Sequence, residues 1–407
     1  MFGKKLYIQV MTTYAPAWGF GGPLRIMYDY ALWMAEEMEV KVFTCNLNHD
    51  FKEFEPSSIE IFPFEIKRYK IFFKQFAKKN WNFISPILLF QLLLEIKKSK
   101  KKIILHICEF RGFIPLYIII IKKLFGTKVL LIHSAFGMLH DKESVFRHVY
   151  DRFFLKLFLQ SIDTCLVQND HEENEYHKYL KKNTLKYYPS IKLFPLHISN
   201  TWIEENFFIL GSKNKEIVKL LRRKYSLKEE IKIFIFLGRL HKEKGILRVI
   251  EVFLNYLKIS KLDCQLLIIG RDDGHKTNIE KYILENQAEK RIKIVTDVYD
   301  HRFEYYFLSD IFMGFPTIYE ETMLASLEAL SCGTPVIVSN EASIPFLVNN
   351  RSGFVIEYSI QNAIEAINSI IEKLDYFQIN ALILANNMFL SKTAKEKFQT
   401  FFEQLNN

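Results

Sequence analysis

The amino-acid sequence predicts an α/β protein of two doubly wound, parallel-sheet domains in series. Two runs of strand-length apolar segments alternate with longer amphipathic stretches, and repeated strand, helix, strand order implies right-handed parallel crossovers. Between them lies Tyr187 to Phe208, which holds Pro189 and Pro195 and shows little periodicity. A length of 407 residues suits two or three domains, and 49% apolar residues are enough to fill large cores. Gly (15) and Pro (11) are sparse and no fixed-period repeat occurs, which excludes linker-rich, collagenous and solenoid architectures.

The first strand is expected at Leu6 to Met11. Two lysines before apolar residues resemble the start of a signal peptide, but Gln9, Thr12 and Thr13 interrupt the run, as suits a buried strand. A helix follows Pro23, and further strands are expected at Val40 to Thr44, Ile103 to Ile107, Val129 to His133 and Cys165 to Gln168. The second series comprises Ile231 to Leu237, Gln265 to Ile269, Ile292 to Val295, Ile311 to Phe315 and Pro335 to Ser339. These make two Rossmann-like domains, 1–195 and 196–388, with 389–407 as a C-terminal helix packing back towards the first. Phe83 to Leu94 and Phe113 to Ile121, the longest apolar stretches, fall short of the roughly 20 residues of a membrane-spanning helix. Five scattered cysteines, an odd number with no C-x-x-C pair, support neither a disulfide framework nor a structural zinc site and suit a reducing cytosol.

The formal charge of +9 is concentrated. From Lys67 to Lys102 there are eleven basic residues against one acid, Glu95, and Phe72, Phe73, Phe76 and Trp81 are interleaved with the first half. That mixture suits an anionic membrane surface, with nucleic acid a weaker match, or a solvated basic helix face.

Ligands of open parallel sheets bind beyond the carboxyl ends of the strands, so the residues there are the candidates. Gly19-Phe20-Gly21-Gly22-Pro23 follows the first strand and opens a helix, where backbone N–H groups could approach a phosphate; a plain tight turn would also explain it. Gly238-Arg239 ends a buried strand and Lys244-Gly245 opens the next helix, two cations suited to a diphosphate or to structural carboxylates. Third, Pro316 to Ser339 holds a short apolar run, a loop with Glu320 and Glu321, a helix starting near Met323 that carries Glu328 and ends near Gly333, and a new strand. The first N–H groups of that helix could face a phosphate, and the acids could receive sugar hydroxyls or simply complement the helix dipole.

Together these segments resemble the retaining glycosyltransferases of family 4, whose signature is G-R-x(4)-K-G followed about seventy residues later by a motif with two glutamates and G-x-P-V. Gly238-Arg239, Lys244-Gly245, Glu320, Glu328 and Gly333-x-Pro335-Val336 match in order, and Gly21-Gly22-Pro23-x-Arg25 resembles the family's first loop. The resemblance implies the GT-B fold, with the active site in the interdomain cleft. It implies that Arg239 and Lys244 hold the donor diphosphate beside Gly238, that Glu328 takes the ribose hydroxyls and that the N–H groups of Met323 and Leu324 take the distal phosphate. Glu320 would contact the donor sugar, Gly22 would lie across the cleft by the phosphate, and His133 would touch the sugar, although Gly137-Met138-Leu139 offers a competing alignment.

The implied reaction is hexosyl transfer with retention from a nucleotide-diphosphate sugar to a hydroxyl of a glycan or lipid-linked acceptor. It needs no cofactor or metal, and suits cell-surface polysaccharide or glycoconjugate synthesis by a cytoplasmic protein held peripherally on the membrane's inner face. Asp272-Asp273 before Gly274 reads as a turn rather than a metal site. The family's Glu-Gly-Phe-Gly is here Glu320-Glu321-Thr322-Met323, and its interdomain Asn-Gly is replaced by Leu196-His197. The competing readings are a non-catalytic GT-B binding protein and a sugar-nucleotide epimerase or mutase.

Overall fold

The computed structural model describes residues 5–17, 22–48, 52–54, 62–73, 83–136, 145–183, 185, 188–194, 197–198, 215–228, 230–296, 302–320, 323–342, 344, 347 and 351–404. The chain divides into two compact units, Met1–Pro195 with Lys395–Asn407, and Leu196–Ala394.

Unit one runs through β1 (Lys5–Met11), α1 (Gly22–Ala35), β2 (Glu39–Cys45), β3 (Glu65–Tyr69), α2 (Pro86–Lys98), β4 (Lys102–Ile107), α3 (Phe113–Phe125) and β5 (Val129–Ser134). A helical run follows, made of α4 (Val145–Tyr150), a π-helical turn (Asp151–Leu155) and α5 (Lys156–Leu159), then β6 (Thr164–Val167), α6 (Asp170–Lys182) and β7 (Ser190–Leu193). All strand neighbours are parallel in the order β3-β2-β1-β4-β5-β6-β7, so the order reverses between β1 and β4.

Unit two contains α7 (Lys215–Lys224), β8 (Lys232–Leu237), α8 (Ile246–Ile259), β9 (Cys264–Ile269), α9 (Lys276–Glu285), β10 (Ile292–Val295), α10 (Arg302–Leu308) and β11 (Ile311–Gly314). Then come α11 (Leu324–Ser331), β12 (Val336–Ser339), β13 (Gly353–Ile356), α12 (Ile360–Glu372) and α13 (Leu374–Met388), and α14 (Ser391–Gln404) returns the chain to unit one. Its parallel sheet has the order β10-β9-β8-β11-β12-β13, reversing between β8 and β11.

Strand alternation divides each sheet into two faces. In unit one, Leu6, Ile8 and Val10 share a core with Leu88, Leu92 and Ile96 of α2, Ile118 of α3, Phe158 of α5 and Leu180 of α6. Tyr7 points the other way, where Phe402 of α14 meets it edge-on at 5.8 Å and Tyr30 of α1 stacks on Phe398 at 4.1 Å. A buried polar chain runs beneath them. Gln9 Nε2 donates to Tyr7 Oη (3.1 Å), which lies 2.6 Å from His106 Nδ1, and His106 Nε2 lies 2.8 Å from Ser134 Oγ. Burial, with the His133 ring nearby, pulls the His106 pKa down to about 3. In unit two, Phe234 and Phe236 pack against α8, α9 and α12, while Ile233 and Ile235 pack against α10, α11 and α13.

Three strands escape the sequence pattern, and all are sheet edges. β3 reads Glu-Ile-Lys-Arg-Tyr, β7 reads Ser-Ile-Lys-Leu, and β13 is a four-residue Gly-Phe-Val-Ile. β7 lies inside the stretch expected to be a connection and pairs with β6 from Thr164↔Ser190 to Val167↔Leu193. An edge strand packs on one side only, so it lacks the continuous apolar run of a central one.

The basic segment is partly neutralised. Lys67 on β3 and Lys41 on β2 both hold Glu95 of α2, at 2.8 and 2.7 Å, and Lys101 pairs with Glu39 at 2.8 Å. Arg68 donates to the carbonyl of Ala15. Lys74, Phe76, Lys78, Lys79 and Trp81 lie outside the described residues. No described helix is long and apolar enough to cross a membrane.

Candidate active site

The expected residues of unit two gather at the carboxyl ends of β8 and β11, the pair at which the strand order reverses, where open parallel sheets place ligands. β8 ends at Gly238, whose N–H bonds Ile269 O of β9 at 2.9 Å. The chain turns at Lys242–Lys244 and enters α8 through Gly245. Gly245 has φ +67°, and a Cβ there would lie 1.7 Å from Phe315 O, so only glycine lets this loop rest on the chain leaving β11. Contacts across that seam join the two motifs. Thr317 N–H donates to Glu243 O (2.9 Å), Arg248 Nη1 donates to Pro316 O (2.8 Å), and Lys244 Nζ meets Glu320 Oε1 at 2.6 Å.

Each charged candidate of unit two has a partner of opposite charge. Arg239 is exposed and pairs with Asp273 Oδ2 at 2.5 Å. Asp272 forms the turn, its Oδ1 accepting N–H bonds from Gly274, His275 and Lys276 at 3.0 to 3.2 Å, and these bonds, that of Lys276 foremost, hold its pKa below the ordinary carboxylate range. Glu328 is buried on α11, with Oε1 3.0 Å from Arg302 Nε and Oε2 accepting from Tyr306 Oη at 3.1 Å. A ribose there would share that carboxylate with Arg302. Burial, reinforced by the Glu328 charge, raises the Tyr306 pKa.

Met323 is the uncapped residue before α11, and among the described residues no acceptor is recorded for the N–H groups of Leu324 or Ala325. Its side chain turns inward: a Cβ on Gly314 would lie 2.5 Å from Met323 Sδ, so Gly314 makes room for methionine where the family has glycine. Glu321 and Thr322 lie outside the described residues. Gly238 has no such backbone requirement, since a Cβ there would meet only the Phe236 ring, at 3.3 Å.

In unit one, Gly22 is the first residue of α1, while Gly19 to Gly21 and Gly137 to Leu139 lie outside the described residues. His133 is fully buried. Phe110 and Phe158 flank its ring at 5.6 and 5.5 Å, and burial lowers its pKa to about 3. Its Nε2 is buried without a hydrogen-bond partner among the described residues, and the loop that follows from residue 137 lies outside them. His133 shares its side of β5 with Val129 and Leu131, both members of the unit-one core.

Residues 217–378, within unit two, match the family model described as glycosyl transferases group 1. Unit two carries a group 1 glycosyltransferase domain. Over a longer stretch the chain is 22% identical to an uncharacterised 41.2 kDa protein of the cps region of Klebsiella pneumoniae, across 75% of this chain and 77% of that one. It is 30% identical to the alpha-monoglucosyldiacylglycerol synthase of Acholeplasma laidlawii, across 32% of each. Among solved structures, Anabaena HepE in complex with UDP-glucose superposes with a TM-score of 0.71 at 14% identity, covering 98% of this chain and 99% of that one. The two parallel Rossmann-like sheets are those of the GT-B fold.

Four further groups stand at or near the candidate positions. Asp273 and Arg302 are the partners just described. Glu341, after β12, accepts the Glu320 N–H through its carbonyl (2.7 Å), and its Oε2 is buried without a hydrogen-bond partner among the described residues. In unit one, Glu109 follows β4 beside the order reversal and accepts Thr12 N–H at 2.6 Å, and burial raises its pKa. A lone acid directly after an apolar strand was the readable sign of it.

Proposed function

We propose that this group 1 glycosyltransferase is a retaining, family 4 enzyme that moves a hexosyl group from a nucleotide-diphosphate sugar to a hydroxyl of a glycan or lipid-linked acceptor. The observation that carries the reading is the convergence of Arg239, Lys244 and the open N-terminus of α11 on one carboxyl edge, at the β8/β11 reversal. Two cations and N–H groups without an acceptor among the described residues are a receptor for a diphosphate. Arg239 is exposed, so exchanging Asp273 for a phosphate costs it little. Glu320 holds Lys244 in place, and its second oxygen can accept a donor-sugar hydroxyl.

In the proposed reaction the bond from the anomeric carbon to the diphosphate breaks and a bond to the acceptor oxygen forms on the same face. The acceptor proton passes to the departing phosphate oxygen, so no protein base or metal is required. Arg239 and Lys244 offset the charge growing on the leaving group. HepE was solved with UDP-glucose, and the Acholeplasma relative is named for a glycolipid product, which supports a sugar-nucleotide donor and a role in glycolipid or polysaccharide synthesis. The basic, aromatic segment from Lys67 to Lys102 supports a cytoplasmic protein held peripherally on an anionic membrane.

Thermal-shift measurements with UDP-, GDP- and ADP-sugars test the reading. One donor class should raise the unfolding temperature, and Arg239→Ala should abolish that rise. A chain that responds to no sugar nucleotide, and releases no nucleotide diphosphate with acceptor extracts, would be a non-catalytic binding protein.

A further inference from the structure

The helical layer of unit one carries an outer surface that the donor chemistry leaves unused. α2, α3, α5 and α6 cover one face of the sheet, and each keeps a side turned away from it. On α3, Ile120 and Leu124 are exposed, Leu124 by 64%. On the run from Val145 to Leu159, Val149, Phe153, Phe154 and Leu157 are exposed, Phe153 by 61%. Positions 149, 153 and 157 recur every four residues and so form a stripe along one side. α3 packs against α5, so the two stripes lie on adjoining elements.

Among the described residues, the exposed charge on these two elements is cationic. Lys123, Arg152 and Lys156 are exposed on the same elements. The nearby acids are paired: Asp151 is held by Arg111 at 2.9 and 3.0 Å, and Asp163 by Lys122 at 2.7 Å.

Several large apolar side chains exposed on adjoining helices mark an interaction site. Apolar side chains rimmed by cations match the boundary between anionic headgroups and acyl chains, the former taking the cations and the latter the rings. A second copy of the chain fits less well, because it would bring the same cations together. We propose that the outer face of α3 and of the Val145 to Leu159 run docks on an anionic lipid bilayer. The proposal rests on the lipid-linked acceptor reading and deepens it by naming the surface that brings unit one to the acceptor.

The test is flotation of the full chain with vesicles of phosphatidylcholine plus phosphatidylglycerol, and with phosphatidylcholine alone. Leu124→Gln, Phe153→Ser and Leu157→Gln together should lower the partition coefficient at least about tenfold, since three large side chains no longer enter the interface. Lys123→Glu, Arg152→Glu and Lys156→Glu together should lower it on phosphatidylglycerol vesicles only. All six side chains point to solvent, so the unfolding temperature should hold in both variants. Unchanged partition in both would overturn the proposal, as would a wild-type dimer that the apolar variant dissociates while vesicle binding persists. Thermal response to sugar nucleotides, read on the same samples, keeps the readings apart: vesicle binding without any donor response sinks the enzymatic reading alone, and donor response without vesicle binding sinks the docking surface alone.

Discussion

Gly245→Ala tests whether the β8 to α8 loop must lie against the chain leaving β11. Alanine there meets two penalties. The φ of +67° is left-handed, which disfavours a residue with a Cβ by about 1–2 kcal/mol. Its Cβ would also lie 1.7 Å from Phe315 O, whereas even tight Cβ contacts keep 3.0 Å, so the β11 exit must retreat by more than an ångström. Overpacking of that kind costs about 1–3 kcal/mol, for a combined loss of about 2–5 kcal/mol. Gly333 separates the two effects. It shares φ +67°, but its Cβ would meet only Leu382 side-chain atoms at 3.1 to 3.3 Å, so Gly333→Ala should lose about 1–2 kcal/mol. At roughly 2–4 °C per kcal/mol, scanning calorimetry should show Gly245→Ala melting roughly 4–20 °C lower, and Gly333→Ala roughly 2–8 °C lower. Retreat of the exit loop also parts Lys244 from Glu320, so Gly245→Ala should lose donor-induced stabilisation while Gly333→Ala keeps it. A Gly245→Ala protein that melts with the wild type, or responds fully to donor, would refute the reasoning.

Other outcomes follow from the same contacts. Arg239→Ala should change stability by no more than about 1 kcal/mol, because its pair with Asp273 is half exposed, yet lower turnover by about 10²- to 10³-fold if Arg239 grips the leaving diphosphate. Asp273→Asn releases Arg239 and should preserve or strengthen the donor response in the thermal-shift assay. Glu328→Gln leaves Arg302 without its carboxylate in a buried setting, and calorimetry should show a loss of about 1–3 kcal/mol. His106 has a pKa of about 3 when folded against 6.5 as its ordinary value, so the unfolded chain binds its proton first on acidification. The stability this withholds is fully present above pH 6.5 and is lost as pH falls towards 3, by about 1.4 kcal/mol per pH unit. Urea midpoints taken at about pH 7.5 and about pH 5 should therefore differ less in His106→Gln than in the wild type, by about 2 kcal/mol, and equal differences would contradict the burial argument.

Sequence reasoning read the central strands and lost three of the four edges, for a physical reason. β1, β4, β8 and β11 are packed on both faces and are mostly apolar, whereas β3 needs only half of that and carries Lys67 and Arg68. The G-R-x(4)-K-G segment and the segment after β11 were each legible by spacing. Their meeting was not, because it depends on the left-handed backbone at Gly245 and on its clearance from Phe315. Partners such as Asp273 and Arg302 come from other elements, and no spacing rule reaches them. The packing of His133 between Phe110 and Phe158 was not legible from its strand-end position, because those rings come from other elements.

The return of the chain through α14 has a consequence for synthesis. Phe398 and Phe402 complete the packing over Tyr30 and Tyr7, so the first unit to leave the ribosome is the last to be finished. Until residues 395–404 emerge, the aromatic side chains of α1 and β1 stay open to chaperones and to other nascent chains, while unit two, continuous in sequence, can close beforehand. An isolated N-terminal fragment should therefore behave as an unfinished nascent chain, and supplying the α14 peptide in trans should restore its solubility.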